Sequence, residues 1–359
     1  MNLRRLYRFN KVTDIKEEHM DQAKIIVVTG ASGGVGRAIA RAFGQRGYQV
    51  ALLARGEAGL AGACAEVEAA GGKALAIATD VVDPAQVEAA AARIERELGP
   101  IDIWVNNAMS TIFAPVAHIE PEEFRRATEV TYLGTVWGTM AALVRMKPRG
   151  RGHIIQVGSA LAYRAIPLQS AYCGAKFAIR GFTDALRCEL MHEQIPITLT
   201  MVHLSAFNTP QFSWALSRMP RQPQPMPPIF DPQLAAQGVL KAADGHEREI
   251  WVGYPAAKAI LGNHLAPWLA DRILVKQGYV GQQTAEPTPP DRPANLFEPA
   301  DQARDYGMQG RFTDRITHNW QQLTMADWVW YLLAAMTASL IPGSILAGAV
   351  KRGLKQALK

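Results

Sequence analysis

The stretch Lys24–Thr29 is a continuous apolar, β-branched run that meets a glycine-rich turn at once, Thr29-Gly-Ala-Ser-Gly-Gly-Val-Gly36. A run this short and this uniformly apolar predicts a strand buried in a parallel sheet. Val35, Ile39 and Phe43 then follow at helical spacing. Strand, glycine turn and helix in direct succession point to a βαβ unit and so to an open α/β sheet. Gly30 permits the tight turn, and Gly34 and Gly36 remove side chains that would hold backbone away from backbone. The helix aims unpaired N–H groups and its positive end at the turn, which suits a dinucleotide phosphate. Ser32 and Val35 belong to the same cradle.

Tyr48–Ala54 reads as the second strand and ends at Arg55. An acidic residue at that place suits a ribose 2′-hydroxyl, whereas an arginine suits a 2′-phosphate. Neither Asp nor Glu stands there, and Arg37 follows the glycine turn, so NADP(H) is expected in preference to NAD(H). NAD(H) stays open, with Glu57 as the discriminating residue. Lys73–Thr79 reads as a third strand, with Asp80 and Val81 placed to grip an adenine edge. Asp102–Val105 reads as a fourth, and the small residues after it, in Asn106-Asn107-Ala108, let the chain pass close beneath the cofactor.

A second group of residues speaks to proton transfer. Gly152–Gly158 reads as the fifth strand, with Ser159 at its C-terminal end, the edge where open α/β sheets bind ligands. Tyr172 and Lys176 are four apart in a segment of helical spacing and share a helix face. A phenol titrates near a pKa of about 10. A neighbouring ammonium lowers that value and makes the phenol a usable acid/base group. Ser159 would donate a hydrogen bond to a substrate oxygen that gains negative charge. Spacing alone makes the Tyr–Lys pair an ordinary surface pair; the serine upstream at a strand end tips the reading toward chemistry.

Together these residues resemble the short-chain dehydrogenase/reductase family, from roughly Lys24 to Gly253. The resemblance implies an α/β, Rossmann-type, doubly wound sheet of seven parallel strands with helices on both faces. It implies Tyr172 as catalytic acid/base, Ser159 as its substrate-positioning partner, and Lys176 both tuning Tyr172 and holding the nicotinamide ribose hydroxyls. It also makes a homo-oligomer common. Three positions depart from the family pattern. Met109 replaces a glycine after Asn-Asn-Ala. Thr131 stands where the family's fourth catalytic residue, an asparagine, is expected, and its hydroxyl would anchor a water relaying protons to Lys176. Leu204-Ser205 replaces a Pro-Gly, although Thr209 is kept as a cofactor contact.

The chain's 359 residues exceed what such a core needs, and the surplus lies at both ends. Its divisions read as an N-terminal arm at 1–22, a catalytic domain at 23–254, a helical extension at 255–327, an apolar segment at 328–350 and a basic tail at 351–359. With 48% hydrophobic and 19% charged residues the chain is globular. The net charge of +6 forms no basic stripe with stacking aromatics, so nucleic acid is not an expected partner. Cys64, Cys173 and Cys188 are too few and too scattered for a disulfide framework or a metal site, and no metal is expected.

Pro210–Pro232 is proline-rich and falls where the family covers its substrate. Phe212, Trp214, Leu216, Met219, Met226 and Phe230 make it an apolar lid, which suits a small hydrophobic carbonyl or alcohol substrate; the plainer reading packs these side chains on the body. Beyond it, Ala256–Val275 has helical periodicity and Thr284–Pro299 reads as an extended loop. Trp328–Val350 holds no charge over 23 positions, with aromatics at one end and Lys351-Arg352 at the other. That pattern fits a bilayer interface. Pro342-Gly343 would kink it, so a shallow hairpin on the cytoplasmic side of a membrane is expected rather than a span. The expected activity is NADP(H)-linked interconversion of a hydrophobic ketone or aldehyde with its alcohol. The alternatives are a non-catalytic, membrane- or partner-anchored nucleotide-binding protein, or an epimerase or dehydratase acting on a nucleotide sugar.

Overall fold

The computed structural model describes residues 23–317 and the backbone of 322–324. Seven parallel strands form the central sheet: β1 (Ile25–Thr29), β2 (Gln49–Ala54), β3 (Lys73–Ala78), β4 (Ile103–Asn106), β5 (His153–Ser159), β6 (Thr198–Leu204) and β7 (Glu249–Val252). An eighth strand, β8 (Gln322–Thr324), adds antiparallel to β7, and the spatial order is β8-β7-β6-β5-β4-β1-β2-β3. The order reverses between β1 and β4, so the crevice for a ligand opens above their C-terminal ends.

The continuous apolar run of β1 has a simple cause. Ile26 and Val28 enter one core cluster and Ile25 and Val27 the other, so both faces are buried. On the first face lie α1 (Gly34–Gly44) and α2 (Glu57–Ala69), with Ile39, Phe43 and Leu60 in the core. The second face carries α3 (Pro84–Glu97), followed later in the chain by α4 (Pro121–Thr128), α5 (Gly134–Arg149) and α6 (Ser170–His192). Ile94, Met146 and Leu186 are its buried anchors. α7 (Pro232–Asp244) returns to the first face and packs on α1.

The extension departs from the single helix expected at Ala256–Val275. It forms α8 (Tyr254–Leu265) and α9 (Pro267–Val280), broken at Ala266. The residue before a proline is driven out of the helical region, and Ala266 sits at φ −149°, ψ 68°. The expected loop at Thr284–Pro299 also differs at its start: Gln283–Pro287 pairs antiparallel with Arg221–Pro223 of the lid. Two more short ribbons tie the lid down, Leu216–Ser217 on Ile112–Phe113 and Ile229–Phe230 on Ala206–Phe207. Phe212 and Met219 are therefore buried against Phe113, Leu168 and Phe312 as packing, while Trp214, Leu216 and Met226 stay half-buried. Among the described residues no helix is long and apolar enough to cross a membrane. The arm at 1–22, the apolar segment at 328–350 and the basic tail at 351–359 lie outside the described residues.

Candidate active site

The glycine turn is shaped by its own backbone. Gly30 and Gly34 have φ of +65° and +56°, where a Cβ is strained. A Cβ on Gly36 would lie 2.1 Å from the Gly30 carbonyl oxygen and 2.4 Å from Asn107 Nδ2. Thr29 Oγ1 accepts from the amides of Asn107 and Ala108, at 2.9 and 3.0 Å. Asn107 Nδ2 donates back to the Thr29 carbonyl at 2.9 Å. Asn107 and Ala108 thus lock β1 to β4 beneath the turn. Thr209, remote in sequence, comes to rest on Gly34, its Cβ 3.2 Å from where a Cβ would stand. Ser32 and Val35 lie half-buried in the same turn.

Sequence reasoning missed what covers this end. The segment Asn295–Gly310 runs across it as a strap. Gly34 N–H donates to the Gly307 carbonyl at 3.2 Å. The Arg55 guanidinium donates to the carbonyls of Asn295 and Phe297, at 2.7 and 2.5 Å. Burial holds that guanidinium below its usual pKa. Gly59 N–H donates to the Asp301 carbonyl, and Trp214 stacks edge-on against Tyr306 at 5.0 Å. Arg37, expected to add charge for a 2′-phosphate, is instead buried and bound to Glu66 and Asp305. Asp80 is paired with Arg126, whose Nε also donates to the Leu296 carbonyl, and Val81 is buried where a Cβ on Gly134 would strike it. The strap engages Gly34 and Arg55 mainly through backbone carbonyls, which leave no side-chain signature in the sequence, and adds the Asp305 carboxylate on Arg37 and the Tyr306 ring on Trp214. Its contacts also test the fit of a nucleotide: Gly34 N–H and Arg55 are donors already satisfied by oxygens, the atoms a phosphate presents.

At the proton end, Ser159 closes β5 and Tyr172 and Lys176 lie on the first turns of α6. The Tyr172 hydroxyl shares a hydrogen bond with that of Ser159. Lys176 is buried, with Nζ donating to the Val157 carbonyl at 2.6 Å and lying 5.5 Å from the centre of the Tyr172 ring. Burial pushes this amine down to about 7. The phenol departs from the sequence reading. Burial raises it above its usual value, and the bond with Ser159 opposes the rise only in part. Burial of Tyr172 therefore favours the protonated phenol.

Thr131 differs from expectation in what its hydroxyl does. The side chain is fully buried in a π-turn, Glu129–Leu133. Its Oγ1 accepts from Ser110 N–H at 3.0 Å and donates to the Ser110 carbonyl at 3.1 Å. The hydroxyl's one proton is thus spent on the loop after β4. Met109, on that loop, lines a small cleft with Thr111, Trp214, Leu216 and Leu296. A larger surface cleft of about 350 Å³, lined by Arg187, Ile197 and His246, lies by the start of β6, the opposite end from Ser159.

Behind Ser159 lies a second group the sequence did not flag. His203 is fully buried on β6, and its Nδ1 bonds the Ser159 carbonyl at 3.1 Å, so Nδ1 carries the proton. Its Nε2 sits 3.5 Å from Glu249 on β7, and Tyr163 donates to the same carboxylate at 2.6 Å. The Nδ1 bond ties β6 to the strand end from which Ser159 projects.

A parallel sheet with a glycine-turn cradle and a Ser-Tyr-Lys group at one edge defines a nucleotide-linked oxidoreductase. The short chain dehydrogenase family matches residues 24–217. An uncharacterized oxidoreductase YxnA of Bacillus subtilis is 30% identical over 91% of this chain and 89% of that protein. A 3-dehydrosphinganine reductase of Danio rerio is 36% identical over 48% of this chain and 54% of that protein. The solved alcohol dehydrogenase from Thermococcus sibiricus, in complex with 5-hydroxy-NADP, matches with a TM-score of 0.56 and 26% identity, covering 64% of this chain and 96% of that one. The chain belongs to the short-chain dehydrogenase family, and it is an enzyme of that oxidoreductase class.

Proposed function

We propose that the protein is an NADP(H)-dependent reductase of a hydrophobic ketone or aldehyde. The observation that carries this reading is the convergence of Ser159, Tyr172 and Lys176 at the C-terminal edge of the sheet, with the phenol held protonated. The cofactor supplies or accepts hydride. Gly34, Val35 and Gly36 would hold its phosphates, Arg55 the 2′-phosphate, Asn107 and Thr209 the floor and flank, and Lys176 the ribose. Ser159 orients the substrate oxygen by a hydrogen bond, and Tyr172 hands its proton to that oxygen as negative charge gathers there. Thr131 positions the loop of Ser110 and Met109 against the substrate. The likeness to a 3-dehydrosphinganine reductase supports a hydrophobic substrate. The segment at 328–350 would hold the protein at the cytoplasmic face of a membrane, where such substrates reside.

The test is NADPH oxidation followed across a series of aliphatic ketones and aldehydes of increasing chain length. Falling KM with chain length is expected, and no turnover on any member would refute the reading. Two further outcomes follow. Arg55→Ala is expected to raise the KM for NADPH by about 3- to 10-fold, less than the loss of about 1.5–3 kcal/mol for a full charge-assisted bond because the strap bonds Arg55 gives up offset part of it, with the KM for NADH nearly unchanged. The raised phenol also sets a pH asymmetry. A proton donor with an elevated pKa stays loaded as pH climbs, so any fall in reduction from about pH 7 to 9 should follow the Lys176 amine, pushed down to about 7, while alcohol oxidation rises over the same range as the phenol yields its proton. Parallel profiles in the two directions would contradict Tyr172 as the titrating group.

A further inference from the structure

Helix α9 is out of balance with its surroundings. Of its fourteen residues only Gly278 is buried. Val275, Val280 and Trp268 are exposed to 73%, 68% and 59%, and Leu265 at the end of α8 to 85%. Leu269, Ile273 and Tyr279 are exposed as well. At helical spacing these side chains share one broad outer arc, with Leu274 and Gly278 turned to the body. Two exposed cations, Arg272 and Lys276, stand inside that arc, and Arg272 lies over the Trp268 ring. α8 adds an exposed Lys258. The one carboxylate of the two helices, Asp271, is paired with Arg164 of the body and lies outside the arc.

We infer that the outer face of α8–α9 is a docking surface for an anionic lipid bilayer. Charge decides among the occupants. The chain's own apolar segment, 328–350, has no carboxylate, so covering α9 with it would bury Arg272 and Lys276 without partners. A second copy placed by a two-fold axis would meet this arc with the same arc, which offers Arg272 and Lys276 no carboxylate. A bilayer takes the apolar side chains into the headgroup boundary and lets both cations reach lipid phosphates. The site of contact also matters. Gly278 packs on Pro167, and Gln282, two residues past α9, bonds the Pro167 carbonyl and Gln169. Pro167–Gln169 leads directly into α6 and Tyr172. The helix that carries the docked face is thus seated on the segment that leads into α6, and the proposal rests on and deepens the reading of a membrane-resident substrate.

The experiment is flotation of the full chain with vesicles of phosphatidylcholine alone or with about one-third phosphatidylglycerol, a readout that needs no turnover. The native chain is expected to partition at least tenfold more strongly onto the anionic vesicles. Arg272→Glu with Lys276→Glu should abolish that excess, since each surface cation contributes about fivefold. Trp268→Ser with Val275→Ser should weaken binding to both vesicles, while turnover of a short, water-soluble ketone certifies the fold. Equal binding of the charge-reversed and native chains to anionic vesicles would overturn the proposal. So would a fall in sedimentation mass on charge reversal, which assigns the face to a second copy. Faster hydrogen exchange of α9 after removal of residues 328–359 would likewise overturn it, by assigning the face to the chain's own tail. Loss of ketone turnover in the native chain, with lipid binding intact, would strike the proposed reaction and spare the docking surface.

Discussion

Tyr172→Phe is expected to lower carbonyl reduction by about three orders of magnitude while leaving NADPH binding within about twofold. The substitution keeps the ring and its packing and deletes one oxygen. In the proposed reaction that oxygen carries the proton that the substrate oxygen must receive, and it also bonds Ser159. General acid catalysis contributes roughly 10²- to 10⁴-fold, and the lost bond to Ser159 adds to the deficit by freeing the serine to turn away. The other hydroxyl in reach is Ser159 itself, a far weaker acid than a phenol, and Lys176 Nζ is directed at the Val157 carbonyl. Neither replaces the donor. Single-turnover reduction and a fluorescence titration with NADPH separate the two effects. Residual activity above about a tenth of the native rate would mean that a different group supplies the proton.

The second large effect concerns stability. Gly36→Ala is expected to destabilise the fold by about 3 kcal/mol or more in chemical denaturation, and to weaken NADPH binding in what remains folded. The added methyl would meet the Gly30 carbonyl and Asn107 Nδ2, and neither is the loose end of a flexible chain. Gly30 is fixed in a left-handed turn, and Asn107 is held by three bonds to Thr29 and Gly30. Relief demands that β1 part from β4. Gly181→Ala provides the control. It lies in α6 with open space around it, so the same chemical change there should stabilise by about 1 kcal/mol, the ordinary helix preference of alanine over glycine. Equal responses at the two positions would show that crowding at the turn is not what demands glycine.

The first strand and its glycine turn were legible because their signals are local. β1 reads as apolar throughout because both its faces are covered, and the turn after it needs glycine at positions that the backbone itself dictates. Ser159, Tyr172 and Lys176 were legible as a spaced group whose elements, β5 and α6, each carry a clear period. What stayed hidden depends on partners distant in sequence. Arg37 looks like a phosphate ligand until Glu66 and Asp305 close on it. Thr131 looks like a relay until Ser110 takes its hydroxyl. The direction of the phenol's shift was misjudged because a Tyr–Lys spacing reveals the amine and conceals the burial of both groups. His203 and Glu249 escaped notice because buried polar residues in two apolar strands look like interruptions until the strands are laid side by side.

The strap over the cradle has a thermodynamic corollary. Residues 295–310 grasp Gly34 and Arg55 by the hydrogen atoms the proposed coenzyme would need, so nucleotide capture there would be an exchange rather than a simple addition. Each bond gained to a phosphate at these two groups would be set against one surrendered by the polypeptide, and the affinity would reflect the difference between the two. Loosening the peptide's grip would tighten coenzyme binding without touching a single coenzyme contact.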